Sequence, residues 1–385
     1  MSNHQHYGNY DIHFVEGKDE IDQDGTLVIN KANRSTAKFP DFLPTWNPNE
    51  KYPPLKFFKY EDPGLKADAS FKSLFPQDGD YTVKKLSPKL GSVISGIQLS
   101  QLNDEAKNDL ARFIAERGIV AFRDQDFTHQ GPQKCVEFAE YFGPLHIHPT
   151  SGAPKNIPTI HVTYRRADEK DERVFANNTN SILWHSDCSF ELQPPGYTIF
   201  SILEGPESGG DTLFANNVEA YKRLSPAFQQ RLQGLHVLHT SEDQASNSRG
   251  QGGVERRKPV SYIHPLIRVH PVTKEKYIYL NKPFSRQIIE LKEEESTMLL
   301  DFLYRHLELS HDLQIRANWE PNTVVMWDNR STTHSSCNDY ADDTSARHGM
   351  RISCQAERPV ESLSDLNNED ISIGDIADAL KKTHT

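Results

Sequence analysis

His185-Ser186-Asp187 and, far downstream, His334 are the feature that most restricts what this chain can be. Two imidazoles and one carboxylate hold a non-haem Fe(II) ion on one face and leave the opposite positions open for a co-substrate and O2. In a strand, residues two apart point to the same side, so His185 and Asp187 are expected to reach one metal without a bend in the chain. His334 follows a second expected strand, and a metal gripped by strands so distant in sequence requires a barrel or sandwich that brings them together.

Other side chains compete for, or complete, such a site. His146-Ile147-His148 also has the spacing of one strand face, but no carboxylate follows close by, so the pair reads as a pocket wall with His148 near the metal or substrate. His264 and His270 read as structural. Arg347 and Arg351, four apart, share a face of either a strand or a helix and can present two guanidinium forks to one cavity. Two such forks imply two anions; the competing reading is a surface pair neutralised by Asp342 and Asp343. Gly209-Gly210-Asp211-Thr212 offers a turn followed by a hydroxyl that suits a carboxylate.

The 385 residues leave room for one large β domain with an extension, or for two ordinary domains. A formal net charge of −11 argues against a nucleic-acid or anionic membrane surface, both of which select clustered Lys and Arg. There is no apolar run long enough to span a bilayer, and Met1 to Glu20 is polar, so the expectation is a soluble cytoplasmic protein. Cys135, Cys188, Cys337 and Cys354 lack zinc-ligand spacing and read as reduced thiols, with Cys188 and Cys337 flanking the site.

Residues 1–80 carry many Pro, Asn, Lys and aromatic residues without sustained period, which predicts an extension packed on the core or at an oligomer interface. Residues 81–359 read as the main domain and 360–385 as an acidic tail, in which Ile373, Ile376, Ala377 and Leu380 are spaced for a short docking helix. Asn103 to Arg117 predicts a helix capped by Asn103 and stopped by Gly118, before a buried strand Ile119–Phe122. Further helices are expected over Gln133 to Phe142, from Ser225-Pro226 to Gly234, and over Glu293 to Leu307. Leu313 to Trp319 alternates, Pro321-Asn322 turns, and Thr323 to Trp327 returns, so a hairpin is expected to deliver His334. Ser241 to Lys258, polar and glycine-bearing, is expected to be a loop, either plain surface or a lid.

The motifs Phe122-Arg123-Asp124-Gln125, Phe142 to Pro149, Trp184-His185-Ser186-Asp187, Gly209 to Leu213, Trp327-Asp328-Asn329-Arg330 leading to His334, and Arg347 to Arg351 together resemble the taurine catabolism dioxygenases. Within that family they are most similar to fungal sulfonate dioxygenases. The resemblance covers about residues 82 to 359. It implies a mainly β fold with flanking helices, a double-stranded β-helix or jelly roll. It implies Fe(II) held by His185, Asp187 and His334, with 2-oxoglutarate as co-substrate bound through Thr212 and Arg347. Arg351 and His148 would grip a sulfonate and Phe284 would line its pocket. Ser151 and Ser181 stand where the bacterial taurine enzyme has a Tyr and an Asn, so recognition of the taurine amine is not carried over.

The implied reaction consumes O2, hydroxylates the carbon next to sulfur of a small anionic organosulfur compound, and releases sulfite and an aldehyde with succinate and CO2, in the service of sulfur assimilation. Cleavage of alkyl sulfate esters or aryloxyalkanoates is the alternative chemistry, and a non-catalytic jelly-roll binding protein the alternative class. A homo-oligomer is the expected assembly.

Overall fold

The computed structural model describes residues 19–166, 175, 179–180, 182–250, 253–340 and 344–368. Its centre is a seven-stranded sheet in the spatial order Thr82–Lys85, Ser92–Ser95, Ile119–Phe122, Val324–Asp328, Pro195–Glu204, Arg347–Gln355, Ile160–Arg165. All neighbours are antiparallel except Ser92–Ser95 against Ile119–Phe122. A three-stranded sheet, Gln314–Ala317, Thr212–Asn216 and Thr332–Ser336, packs against it, and together they make the jelly roll.

Side-chain alternation explains why the central strands are apolar throughout. Ile119, Ala121, Val325 and Trp327 join Phe214, Ile315 and Ala317 in the layer between the two sheets. Val120, Phe122, Val324 and Met326 point the other way, into a larger core with Leu110, Ile114, Val136 and Phe138. A strand buried on both faces cannot alternate with polar residues. Two helices cover that outer face. Asp104–Arg117 starts where Asn103 accepts the Ala106 N–H and ends at Gly118, whose φ of 72° a side chain would resist. Pro132–Ala139 continues as a 3-10 turn, Glu140–Phe142.

A third core lies beneath Pro226–Leu232 and Glu293–Leu309, where Leu232, Leu300, Leu303 and Leu307 pack on Val237, Ile278 and Ile288. Phe42, Trp46 and Leu74 are buried in the same core as the seven-stranded sheet, and His348 Nε2 lies 3.0 Å from the Phe42 carbonyl. Residues 369–385, with the expected docking helix, lie outside the described residues.

Two local expectations are corrected. Gln314–Ala317 and Val324–Asp328 form no hairpin: the first pairs with Thr212–Asn216 in the small sheet, the second sits between Ile119–Phe122 and Pro195–Glu204 in the large one. Burial on both faces obliges Val324–Asp328 to take a central place, whereas Gln314–Ala317 alternates buried and partly exposed positions and suits an edge. Arg123 braces the crossing, donating to the Asn318 carbonyl and to Thr323 Oγ1 at 3.2 and 2.8 Å. Ser241 to Lys258 contains a helix, Glu242–Gly250, with Glu242 and Asp243 in its first turn, where they complement the helix dipole.

The turn after Val324–Asp328 rests on a fully enclosed ion network. Arg330 meets Asp62 and Asp328 at 2.6 Å and Glu357 at 3.1 Å; Arg268 shares Glu357 at 2.9 Å, and His270 shares Asp328 at 2.9 Å. Removing one partner of such a group leaves the others charged and desolvated. Arg330→Met is therefore expected to cost about 3–5 kcal/mol of unfolding free energy, read as a lowered urea midpoint.

Acid sensitivity has a separate origin. Burial, reinforced by Arg268 and Arg286, pushes the His239 imidazole down to about 3, and burial pushes His348 down to about 4 against its Phe42 bond. Unfolded, each ring takes a proton below about pH 6.5, so their stabilisation is complete above that pH and is lost as pH falls toward 4. The expected slope is about 1.4 kcal/mol per pH unit per ring. Urea melts at pH 7, 5.5 and 4.5 measure it, and His348→Gln should flatten the profile by its share.

Candidate metal and anion site

His334 lies on Thr332–Ser336, and His185 is held to it by a single antiparallel bridge: His185 N–H to the His334 carbonyl at 2.9 Å, His334 N–H to the His185 carbonyl at 2.8 Å. The expected regular strand through His185 and Asp187 is not formed. The chain turns at Asp187, and Cys188 has a φ of 47°. Asn329 fixes Asp187 instead, accepting its N–H at 2.8 Å and donating to its carbonyl at 3.0 Å. One turn, Asp328 to Ser331, thus places His334 by continuity and Asp187 by hydrogen bonding.

The three side chains converge, their ligand atoms all within 4.8 Å of one another. Asp187 Oδ1 stands 3.8 Å from His185 Nε2 and 3.7 Å from His334 Nε2. Two atoms each about 2.1 Å from one ion stand no more than about 4.2 Å apart, which both separations satisfy. His185 Nδ1 lies 2.8 Å from the Leu183 carbonyl and so carries the ring proton, leaving Nε2 with its lone pair. Burial, followed by the neighbouring His185, brings the His334 imidazole down to about 3, and burial likewise lowers His185. Burial works to raise the Asp187 carboxyl, but Arg351 with His334 and His185 outweighs it and holds the group below the ordinary carboxylate range. Asp187 Oδ2 is buried with no hydrogen-bond partner among the described residues. Two neutral imidazoles and an ionised carboxylate with an orphaned oxygen are suited to a divalent transition metal with open positions.

A cavity of about 760 Å³ opens on the triad. Thr212, Arg347, Arg351, His148 and Phe284 all line it. Arg347 and Arg351 share Arg347–Gln355, so the four-residue spacing is that of a strand face. Arg347 is buried, its guanidinium 5.3 Å from the Tyr340 ring centre, and its Nε has no hydrogen-bond partner among the described residues. Asp342 and Asp343, the alternative partners, lie outside the described residues, as does Ser181. Arg351 donates to Asp187 Oδ1 at 2.6 Å and, through its other terminal nitrogen, to His161 Nδ1 at 2.7 Å. Phe284 packs edge-on against Phe190. Asp243, Gln244 and Asn247 of the helix Glu242–Gly250 also face the cavity.

Among the other histidines, His146 lies 2.9 Å from Glu191, a carboxylate supplied from beyond the triad, and His264 and His270 are bonded within the interior. His161 and Tyr340 were not singled out from sequence, and Asn329 entered only as part of the motif Trp327 to Arg330. For His161 a signal exists: Ile160 and Val162 belong to the core, so His161 and Thr163 must face the opposite side, and both line the cavity.

Residues 82–353 match the family model "Taurine catabolism dioxygenase TauD, TfdA family". The chain belongs to this family. It is therefore a dioxygenase, which sets aside the reading as a binding protein, and the family implies an iron centre and 2-oxoglutarate. It is 54% identical over 368 residues, 95% of this chain and 89% of the relative, to the alpha-ketoglutarate-dependent sulfonate dioxygenase of Saccharomyces cerevisiae. It is 30% identical to the alkylsulfatase of Acinetobacter baylyi over 68% of this chain and 81% of that one. The crystal structure of a taurine dioxygenase from Burkholderia xenovorans superposes with a TM-score of 0.59 at 27% identity, covering 73% of this chain and 93% of that one.

Calorimetry with Mn(II) tests the triad without turnover. Asp187→Ala is expected to abolish stoichiometric binding. Asn329→Ala, which leaves the ligands in place but frees the Asp187 backbone, is expected to weaken binding about 10- to 100-fold.

Proposed function

We propose that this family member is an Fe(II)- and 2-oxoglutarate-dependent dioxygenase that oxidises the carbon bearing sulfur in alkanesulfonates. One observation carries the reading: two arginines on one strand face, Arg347 buried and Arg351 partly buried, line the cavity that opens on the triad. In a chain of net charge −11, two such cations call for two anions. The 54% identical yeast sulfonate dioxygenase supports the choice of anion.

His185, Asp187 and His334 would hold the iron. Arg347 and Thr212 receive the distal carboxylate of 2-oxoglutarate, and Arg351 with His148 receives the sulfonate, while Phe284 packs against the carbon chain. The bound iron supplies O2 activation coupled to decarboxylation of 2-oxoglutarate. One oxygen atom ends in succinate and the other as a hydroxyl on the carbon next to sulfur; the C–S bond then breaks to give an aldehyde and sulfite, with the hydroxyl proton released. The protein's share is positioning, since a displacement of about 1 Å at the reacting carbon can lose about two orders of magnitude in rate. Sulfite release fits a role in sulfur assimilation. The second reading is cleavage of alkyl sulfate esters, supported by the 30% identical alkylsulfatase and by the equal fit of an arginine fork to sulfate.

Oxygen-dependent turnover of a panel of alkanesulfonates, assayed for sulfite, decides between them. Sulfite is expected; sulfate from alkyl sulfates with no sulfite from any sulfonate rejects the first reading. Arg347→Ala is expected to raise the 2-oxoglutarate KM at least 30-fold and Arg351→Ala the sulfonate KM by a similar factor, from about 2 kcal/mol or more per charge-assisted pair.

A further inference from the structure

We infer that Asp62, in the extension that precedes the family-matched segment, is a positioning residue of the metal centre and acts on it through Arg330. The inference rests on the assignment of the triad as the metal site. The family match begins at residue 82, so it assigns Asp62 no role. Local sequence fixes where the Asp62 carboxylate sits. Asp62-Pro63-Gly64 opens the 3-10 turn Pro63–Lys66, and Asp62 Oδ1 accepts the Gly64 N–H at 2.8 Å. Gly64 lies so close to the helix Asp104–Arg117 that a Cβ there would stand 3.0 Å from the Arg112 backbone nitrogen. The Tyr197 hydroxyl reaches both Asp62 oxygens, at 2.8 and 3.0 Å.

From Asp62 to the triad each step is a direct bond. Arg330 Nη1 meets Asp62 Oδ2 at 2.6 Å, and both side chains are 1% exposed. The other two nitrogens of the guanidinium close on Asp328, Nη2 to Oδ2 at 2.6 Å and Nε to Oδ1 at 3.0 Å. Asp328 Oδ1 also accepts the Arg330 and Ser331 N–H groups at 2.9 and 3.3 Å, and the Asp328 carbonyl accepts the Thr332 hydroxyl at 2.6 Å. Those bonds shape the turn. Within it Asn329 holds the Asp187 backbone at two points, and the strand that leaves it carries His334.

The extension needs no buried charge to stay in place, since Phe42, Trp46 and Leu74 dock it by apolar burial. A buried carboxylate opposite a guanidinium adds direction more than stability. A planar fork drawn to Asp62 on one side and closed on Asp328 on the other has one orientation. Neutralising Asp62 leaves Nη1 to Glu357, at 3.1 Å, and frees the fork to swing with the turn it holds.

Mn(II) calorimetry and Mn(II) EPR read the centre without turnover. Asp62→Asn keeps the side-chain volume and an acceptor for Gly64 and Tyr197 but removes the charge opposite Arg330. Its control is Asp109→Asn. Asp109 is a buried carboxylate that ties the same extension to the body, accepting the Asp68, Ser73 and Leu74 N–H groups at 2.8, 3.0 and 3.3 Å. Arg330→Lys is the second variant, because an ammonium keeps the charge but has no planar fork to fix two carboxylates.

Asp62→Asn and Arg330→Lys are each expected to weaken Mn(II) binding about three- to tenfold, less than the roughly 10- to 100-fold of a group bonded to a ligand itself. Both should broaden the Mn(II) EPR signal as the ligand geometry spreads. Asp109→Asn should lower the urea midpoint and leave the Mn(II) dissociation constant within twofold of wild type. A dissociation constant within twofold of wild type in Asp62→Asn overturns the inference. So does an equal loss in Asp109→Asn, which marks the extension as merely structural. If Asp62→Asn is not recovered folded, Arg330→Lys decides, and unchanged Mn(II) binding there overturns the inference by removing its route. A wild type that binds no Mn(II), or binding that survives Asp187→Ala, overturns the triad reading and this inference with it.

Discussion

The buried guanidinium of Arg330 is the constraint from which the site follows. It lies over the Tyr197 ring at 4.6 Å and gathers Asp328 from its own turn together with Glu357 and the far upstream Asp62. Burial works to raise Asp328, but Arg330 and His270 outweigh it and drive its carboxyl far below the ordinary range. Such a cluster stabilises little relative to apolar packing, yet it is intolerant of rearrangement, because any partner withdrawn leaves uncompensated charge in the interior. The turn Asp328 to Ser331 is thereby held in one geometry. The same turn fastens Asp187 through Asn329 and delivers His334, so the convergence of the triad is inherited from electrostatics behind it rather than from the strand spacing of its members.

The cavity in front of the triad has a polarity that the chain as a whole lacks. Net charge is −11, yet buried Arg347 and partly buried Arg351 face the open space from one strand. Arg351 belongs to two constellations, the triad through Asp187 and the histidine pair through His161. A side chain so shared ties the carboxylate of the triad to the histidine pair. Burial keeps the His148 and His161 rings neutral, so they add no charge that the interior must solvate.

Helix ends and strand polarity were legible in the residues because they depend on local physics. Asn103 capping, the Gly118 stop and the Ser225-Pro226 start need only the backbone groups within one turn. Double-sided burial of Ile119–Phe122 was likewise visible as an unbroken apolar run. The failures share a cause. Pairing Gln314–Ala317 with Val324–Asp328 assumed that neighbours in sequence are neighbours in the sheet, and the chain instead crosses between sheets. Reading Glu242–Gly250 as loop relied on polarity, which a helix facing a cavity on one side and solvent on the other also shows.

From the sequence alone came the choice of His185, Asp187 and His334 as the candidate ligand set, the pair of arginines on a common face, and the family to which their combination points, since each is a matter of residue type and short spacing. Tertiary structure alone decided that His185 and Asp187 sit at a bridge and a turn, that Asn329 and Arg330 hold them there, and that His161 stands beside Arg351. Those relations join residues separated by most of a domain, and distance along the chain carries no information about which buried charges and donors must find one another once water is excluded.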